Sequence, residues 1–164
     1  MTQPTKSASG GGQSDLQEIL SRIEATLRGK LRYFDSDLHG LSHLREVAIL
    51  AGQIAAESGI DVEVAMVAGF PHDCGRVNDG GGNEHAIDSA RLARRLLMQL
   101  FPHLDADKIC QAIASHADGL TTDDILVGAL WDADRLTLVR LGRTVREDLL
   151  STPAARRMLK KRTP

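Results

Sequence analysis

Apolar residues in this chain recur three and four positions apart in segment after segment, and that spacing constrains the fold more than any single residue does. Leu16, Leu20, Ile23 and Leu27 set the pattern, and Val47, Leu50, Ala51 and Ile54 repeat it. Ile109, Ala112 and Ile113 follow, then Val127, Leu130, Trp131, Leu138 and Leu141. Each set falls on one face of a helix. The two-residue alternation of a half-buried strand is almost absent. Only 3% of residues are aromatic, while Ala, Leu and Arg are abundant, so local propensity agrees with the periodicity. An all-α protein is expected. With 164 residues, 42% of them hydrophobic, the chain suits one domain with a real core and is short for two.

Residues 1–13 carry no periodic apolar positions and end in a glycine run, a composition that cannot offset the entropy of ordering. They are read as a flexible N-terminal tail, and residues 14–164 as a single domain. Ser14 or Asp15 is expected to cap the first helix and Gly29 to stop it. A second helix runs from Leu44 to Ser58 and is closed by Gly59. Asp61 opens a third, Glu84 a fourth and Ala106 a fifth. The segment from Thr144 onward suggests one or two short helices with a basic end.

The formal charge of -2 and the pI near 6.3 give no global drive toward nucleic acid or an anionic membrane. The expectation is therefore no nucleic-acid partner and no membrane, with oligomeric state open. Cys74 and Cys110 form neither a CxxC pair nor a disulfide framework, and no apolar run has the length of a signal peptide or a membrane span. A cytoplasmic location fits.

The chemistry gathers around His72 and Asp73, which end an Ala- and Val-rich stretch. An imidazole and a carboxylate are costly to bury without a partner, and a divalent cation is one such partner. His43 lies on the stripe of Val47 and Leu50, and His116 on that of Ile109, Ala112 and Ile113. His39 stands four residues before His43, but Gly40 disfavours a helix between them, so His39 is read as a loop or capping residue. Asp132 and Asp134 are two residues apart, roughly 200° around a helix, and cannot both face one ion. Asp134 shares its face with Val127, Leu130, Trp131, Leu138 and Leu141, which makes it the candidate ligand. Asp132 is assigned a peripheral ion pair or a supporting acceptor. For His85, in the first turn of its helix, two readings stand: a neutral imidazole able to bind metal, or a surface histidine. Gly69 and Pro71 should either kink the helix before the pair or shorten it. The glycine-rich stretch after Gly75 is a natural rim for a pocket.

This ordered set, His43, then His72-Asp73, then Asp134 in an Ala-Asp-Arg-Leu stretch, resembles the HD-domain metal-dependent phosphohydrolases over residues 38–143. The resemblance implies a bundle of five or more helices. It implies His43, His72, Asp73 and Asp134 as ligands of one ion, and His85 and His116 as further ligands where Asp73 bridges two. One or two divalent ions per chain would be held, with Mn²⁺, Fe²⁺, Zn²⁺ and Mg²⁺ as candidates. The reaction implied is metal-assisted hydrolysis of a small phosphorylated molecule, a nucleotide or phosphomonoester. Arg76 is a candidate phosphate clamp, because a guanidinium grips two oxygens at once. Asp79 is a candidate for orienting or deprotonating the attacking water. The alternative for both is a solvated loop pair. Two competing readings are a di-iron oxygenase, which the six-residue ligand set also resembles, and a non-catalytic metal-binding regulatory module.

Overall fold

The computed structural model describes residues 11–32 and 35–162. Its elements are α1 (Gly11–Leu27), α2 (Leu41–Ser58), α3 (Val62–Gly69), α4 (Glu84–Leu100), α5 (Ala106–Ala114), α6 (Ile125–Thr137) and α7 (Pro153–Arg162), with short 3-10 turns at Leu138–Leu141 and Glu147–Leu149. No strand occurs among the described residues, as the periodicity requires. Of the expected tail, residues 1–10 lie outside the described residues. α1 begins at Gly11, three residues ahead of Ser14, at a helix end whose boundary propensity fixes only weakly.

α2 is the central helix and packs most extensively against α3 and α6. Its reversal into α3 uses the residues that the sequence singled out. Gly59 adopts φ +72°, the left-handed conformation that costs glycine least, and Ile60 N–H returns to Ala55 O at 3.0 Å. Asp61 then accepts from the backbone N–H of Glu63 and Val64 at the start of α3. Val47, Ala48, Ala51 and Ile54 of α2 are fully buried with Ala65 and Ala68 of α3 and Ala129, Leu130, Ala133 and Leu136 of α6. Burial stabilises each Leu or Ile by about 1.5–3 kcal/mol, and the alanines let backbones approach. Gly69 marks the tightest approach, since a Cβ there would stand 2.9 Å from Ala48 Cα.

Of the two outcomes expected from Gly69 and Pro71, the structure shows the shortened helix: α3 stops at Gly69, and His72 and Asp73 lie beyond it. They sit in consecutive turns closed by Cys74 N–H to Pro71 O (3.0 Å) and Arg76 N–H to Asp73 O (3.1 Å), the short-range bonding that a proline allows where helix cannot continue. Asp132 is no peripheral ion pair. It is fully buried and accepts from Ser151 N–H (2.8 Å), Thr152 N–H (2.7 Å) and Thr152 Oγ1 (2.8 Å), holding the entry to α7.

Candidate metal centre

Three helices and two turns deliver the candidate ligands to one place. α2 starts at Leu41, which puts His43 in its first turn and leaves His39 in the preceding turn. The His72-Asp73 turn follows α3, and His85 stands in the first turn of α4. α5 ends at Ala114, so His116 sits in the turn after it and not on the helix itself, with its N–H bonded to Ile113 O at 3.2 Å. Asp134 projects from α6. The turn carrying Asp73 is pressed onto α4 at Gly75, whose N–H donates to Ser89 Oγ at 2.8 Å. A Cβ on Gly75 would come within 2.4 Å of Ser89 N, so only glycine permits this approach.

His43 Nε2 and His72 Nε2 lie 3.1 Å apart, and each faces Asp134 Oδ1, at 3.4 and 3.5 Å. Ligands held ~2.1 Å from one ion stand roughly 3.0 Å apart in an octahedron and roughly 3.4 Å apart in a tetrahedron, and these three edges match that range. Asp73 divides its two oxygens. Oδ2 is 3.7 Å from His43 Nε2 and 3.8 Å from His72 Nε2. Oδ1 is 3.2 Å from His85 Nε2 and 3.3 Å from His116 Nε2.

What these atoms are matters as much as where they are. His72 Nδ1 lies 2.7 Å from Gly69 O, and His116 Nδ1 lies 2.7 Å from Ile113 O. A carbonyl can only accept, so both Nδ1 atoms carry the proton, and the Nε2 atoms of neutral rings turn lone pairs inward. Lone pairs therefore face carboxylate oxygens across 3.3–3.8 Å, an arrangement stable only with positive charge between them. Asp73 Oδ1 is buried with no hydrogen-bond partner, and so is His43 Nδ1. The donor set thus fits a divalent cation with mixed nitrogen and oxygen ligands.

Electrostatics agree. Burial alone would raise Asp73, but His72 and His116 hold it far below the usual carboxylate range. Asp134 behaves likewise, its burial outweighed by His43 and His72. Burial pushes His43 down, whereas for His72 the two carboxylates overcome burial and push it up. His85 is pushed down to about 4, chiefly by burial and with Arg76 assisting, so its ring is neutral near pH 7. Burial and the neighbouring Asp73 carry the Cys74 thiol up to about 12, which makes it an inert core residue.

Arg76 reaches into this site. Its Nε donates to Asp73 Oδ2 at 2.7 Å, Nη1 donates to Gly80 O at 3.0 Å, and Nη2 stands 3.1 Å from His85 Nε2. Asp79 is turned elsewhere. Its carboxylate accepts from Ser36 Oγ at 2.8 Å and pairs with His39 Nδ1 at 2.6 Å, contacts that lower its pKa. Sequence reasoning missed this link. His39, whose ring centroid is 5.6 Å from that of His43, thereby ties the glycine-rich loop to the start of α2. Nothing in the spacing of Ser36, His39 and Asp79 announces the contact.

The family model for the HD domain matches residues 40–139. A ribonuclease Y of Syntrophobacter fumaroxidans is 38% identical over 128 residues, 77% of this chain and 23% of that protein. A ribonuclease Y of Cutibacterium acnes is 33% identical over 139 residues, 82% of this chain and 23% of that protein. The chain thus spans about a quarter of the length of these relatives. The crystal structure of a predicted HD superfamily hydrolase from an uncultured Thermotogales bacterium superposes with a TM-score of 0.66 at 26% identity, covering 90% of this chain and 84% of that one. One expectation falls with these findings. Ribonucleases act on RNA, so the reading of no nucleic-acid partner does not stand; it rested on a net charge, which averages over the surface and says nothing of local charge. Among the described residues no helix is long and apolar enough to cross a membrane. The matched family model and these relatives place the chain in the HD-domain family.

Proposed function

We propose that the chain hydrolyses phosphate esters at a two-ion centre bridged by Asp73. The observation that carries this reading is the division of Asp73, with Oδ2 toward His43 and His72 and Oδ1 toward His85 and His116. His43, His72 and Asp134 would hold one ion, and His85 and His116 the other. When bound, the metal supplies Lewis acidity and a water of lowered pKa.

The protein's own residues supply the rest. The Gly69 and Ile113 carbonyls fix two imidazoles in the tautomer that offers Nε2 inward. The side chain of Asp134 is 28% exposed where those of His72 and Asp73 are 0% and 2%, so substrate approaches from the Asp134 side of the site. Arg76, already on Asp73, can give its Nη2 to a phosphate oxygen without leaving that carboxylate. Asp79 acts through His39 and the loop and not on the water, because its carboxylate is taken by Ser36 and His39. The relatives named above are hydrolases, which favours hydrolysis over oxygenation for this ligand set. As two of them are ribonucleases, the phosphodiester of a nucleotide or an RNA is the first substrate to try, beside phosphomonoesters.

The test combines metal analysis with a substrate panel. Wild type should hold two ions per chain, Asp73→Ala none and His85→Ala one. Release of nitrophenol from bis-nitrophenyl phosphate, or cleavage of RNA, should appear under Mn²⁺, Fe²⁺, Co²⁺ or Mg²⁺. A metal-loaded protein that cleaves no mono- or diester overturns the activity; one ion in wild type overturns the bridge.

A further inference from the structure

Beside the His72-Asp73 turn lies a groove of about 380 Å³, between the chain after α1 and one face of α4. Lys30, Arg32, Arg76, Arg91 and Arg95 line it, with Asp88 as its one carboxylate. This is a formal +4 in a chain whose total is -2. Two of the cations are occupied, Arg76 by Asp73 and Arg91 by Asp88 at 2.9 Å. Lys30, Arg32 and Arg95 have no carboxylate at ion-pair distance among the described residues. Self-repulsion of this kind is maintained at a cost unless an anion relieves it.

The groove is continuous with the metal centre through one residue. Arg76 lines it and also bonds Asp73 Oδ2 at 2.7 Å. Along α4, Asp88, Arg91, Leu92 and Arg95 follow His85 within a sector roughly 120° wide, and Arg95 lies ~15 Å beyond His85 along the axis. One phosphate group cannot span that length, whereas a chain of phosphates can. We infer that the groove is a second binding site, one that takes the phosphates flanking the scissile linkage of a single-stranded oligonucleotide. The assignment rests on the phosphate-ester reading above for what happens at the metal, but the groove itself is carried by its own charge and position. Three uncompensated cations would neutralise three phosphates, and guanidinium forks match phosphate better than the single carboxylates of an acidic peptide.

The experiment measures binding of fluorescent phosphorothioate single strands of about twelve nucleotides, RNA and DNA, to the metal-loaded protein across a salt series, with polyglutamate of equal charge as competitor. Wild type should bind with a log–log salt slope of about -2, from three phosphates at ~0.7 each on a single strand. Lys30→Gln/Arg32→Gln/Arg95→Gln, checked for fold by circular dichroism, should weaken binding at least tenfold and flatten the slope; Arg157→Gln on α7 should change neither. Binding of either strand supports the groove, and the ratio of the two tells which is taken. Unchanged affinity and slope in the triple variant overturn the proposal, as does displacement by polyglutamate at the same concentration as by oligonucleotide. The two readings fail separately. Strand binding by a metal-loaded protein that cleaves no mono- or diester sinks the hydrolase reading and keeps the groove, and cleavage of bis-nitrophenyl phosphate without strand binding does the reverse.

Discussion

Replacing Asp132 by alanine should unfold this protein more readily and leave its metal in place, while Asp134→Ala should do the opposite. Asp132 accepts three hydrogen bonds, from Ser151 N–H, Thr152 N–H and Thr152 Oγ1, at 2.7–2.8 Å, and is fully buried. Removing it strands these donors, and each unsatisfied buried donor costs about 1–3 kcal/mol. Thr152 Oγ1 can rotate to another partner and also accepts from Ala155 N–H at 3.2 Å, so its share is the smallest. Water can reach the half-buried Ser151, whose N–H then recovers part of its loss. A total of about 3–5 kcal/mol follows, a drop in Tm of roughly 6–20 °C for a chain of this size. Asp132→Asn keeps one acceptor oxygen and should fall between. Asp134 Oδ1 instead faces the Nε2 atoms of His43 and His72, so its removal takes away a ligand and two close carboxylate contacts without stranding a backbone group. Urea unfolding followed by circular dichroism, beside metal content by mass spectrometry, reads both effects. Loss of metal from Asp132→Ala with unchanged unfolding would refute the assignment of these two carboxylates.

Further outcomes follow from the same geometry. Gly69→Ala should destabilise by about 1–3 kcal/mol, because its Cβ would meet Ala48 Cα at 2.9 Å and force α3 off α2; a urea midpoint equal to wild type would contradict this. Arg76→Gln should lower kcat/KM for a phosphodiester by about tenfold to a hundredfold and keep the metal count, as one charge-assisted contact is worth ~1.5–3 kcal/mol; steady-state kinetics beside metal analysis check it. His85 has its pKa lowered to about 4 from 6.5, so it binds fewer protons folded than unfolded, and its contribution to metal-free stability is full above pH 6.5 and lost as pH falls toward 4. The metal-free His85→Gln variant should accordingly show a shallower fall of Tm across that interval than metal-free wild type. His72 has the reverse sign: its pKa is raised, so its contribution is full below 6.5 and is lost as pH rises through the folded value.

The helical architecture could be read from the chain because its signals are local. Stripe spacing, the left-handed Gly59 and the Asp61 cap each act within a few residues, and each appears where the pattern puts it. The choice of Asp134 over Asp132 was also local, since angular position on one helix decides it. What failed was the role of Asp132. Its partners Ser151 and Thr152 are nearly twenty residues away and donate through backbone, and no periodicity encodes that. The same holds for Asp79, tied to Ser36 and His39 across 43 and 40 residues by side chains that look solvated in the sequence. The basic groove was hidden for a different reason. Lys30 and Arg32 lie far from Arg91 and Arg95 in sequence, and a total charge of -2 masks a patch that only the packing of α1 against α4 assembles.

Metal-free, the centre must balance two ionised carboxylates with what lies around them. Arg76 supplies one positive charge to Asp73, and the raised pKa of His72 shows where a proton is best tolerated. A divalent ion among His43, His72 and Asp134 removes the need for that proton, so binding releases it, and affinity should fall as pH drops through the range where His72 titrates. A second ion on His85 and His116 would need the His85 lone pair that Arg76 Nη2 now faces at 3.1 Å. Loading the second site would therefore require Nη2 to leave His85 while Nε can stay on Asp73, and would free that donor for a substrate phosphate. Metal occupancy and phosphate binding are on this account coupled through Arg76. Phosphate should raise the affinity of the second ion in wild type and fail to do so in Arg76→Gln, a reciprocity that titration calorimetry with and without inorganic phosphate can measure. Equal coupling in the two proteins would remove Arg76 from the linkage.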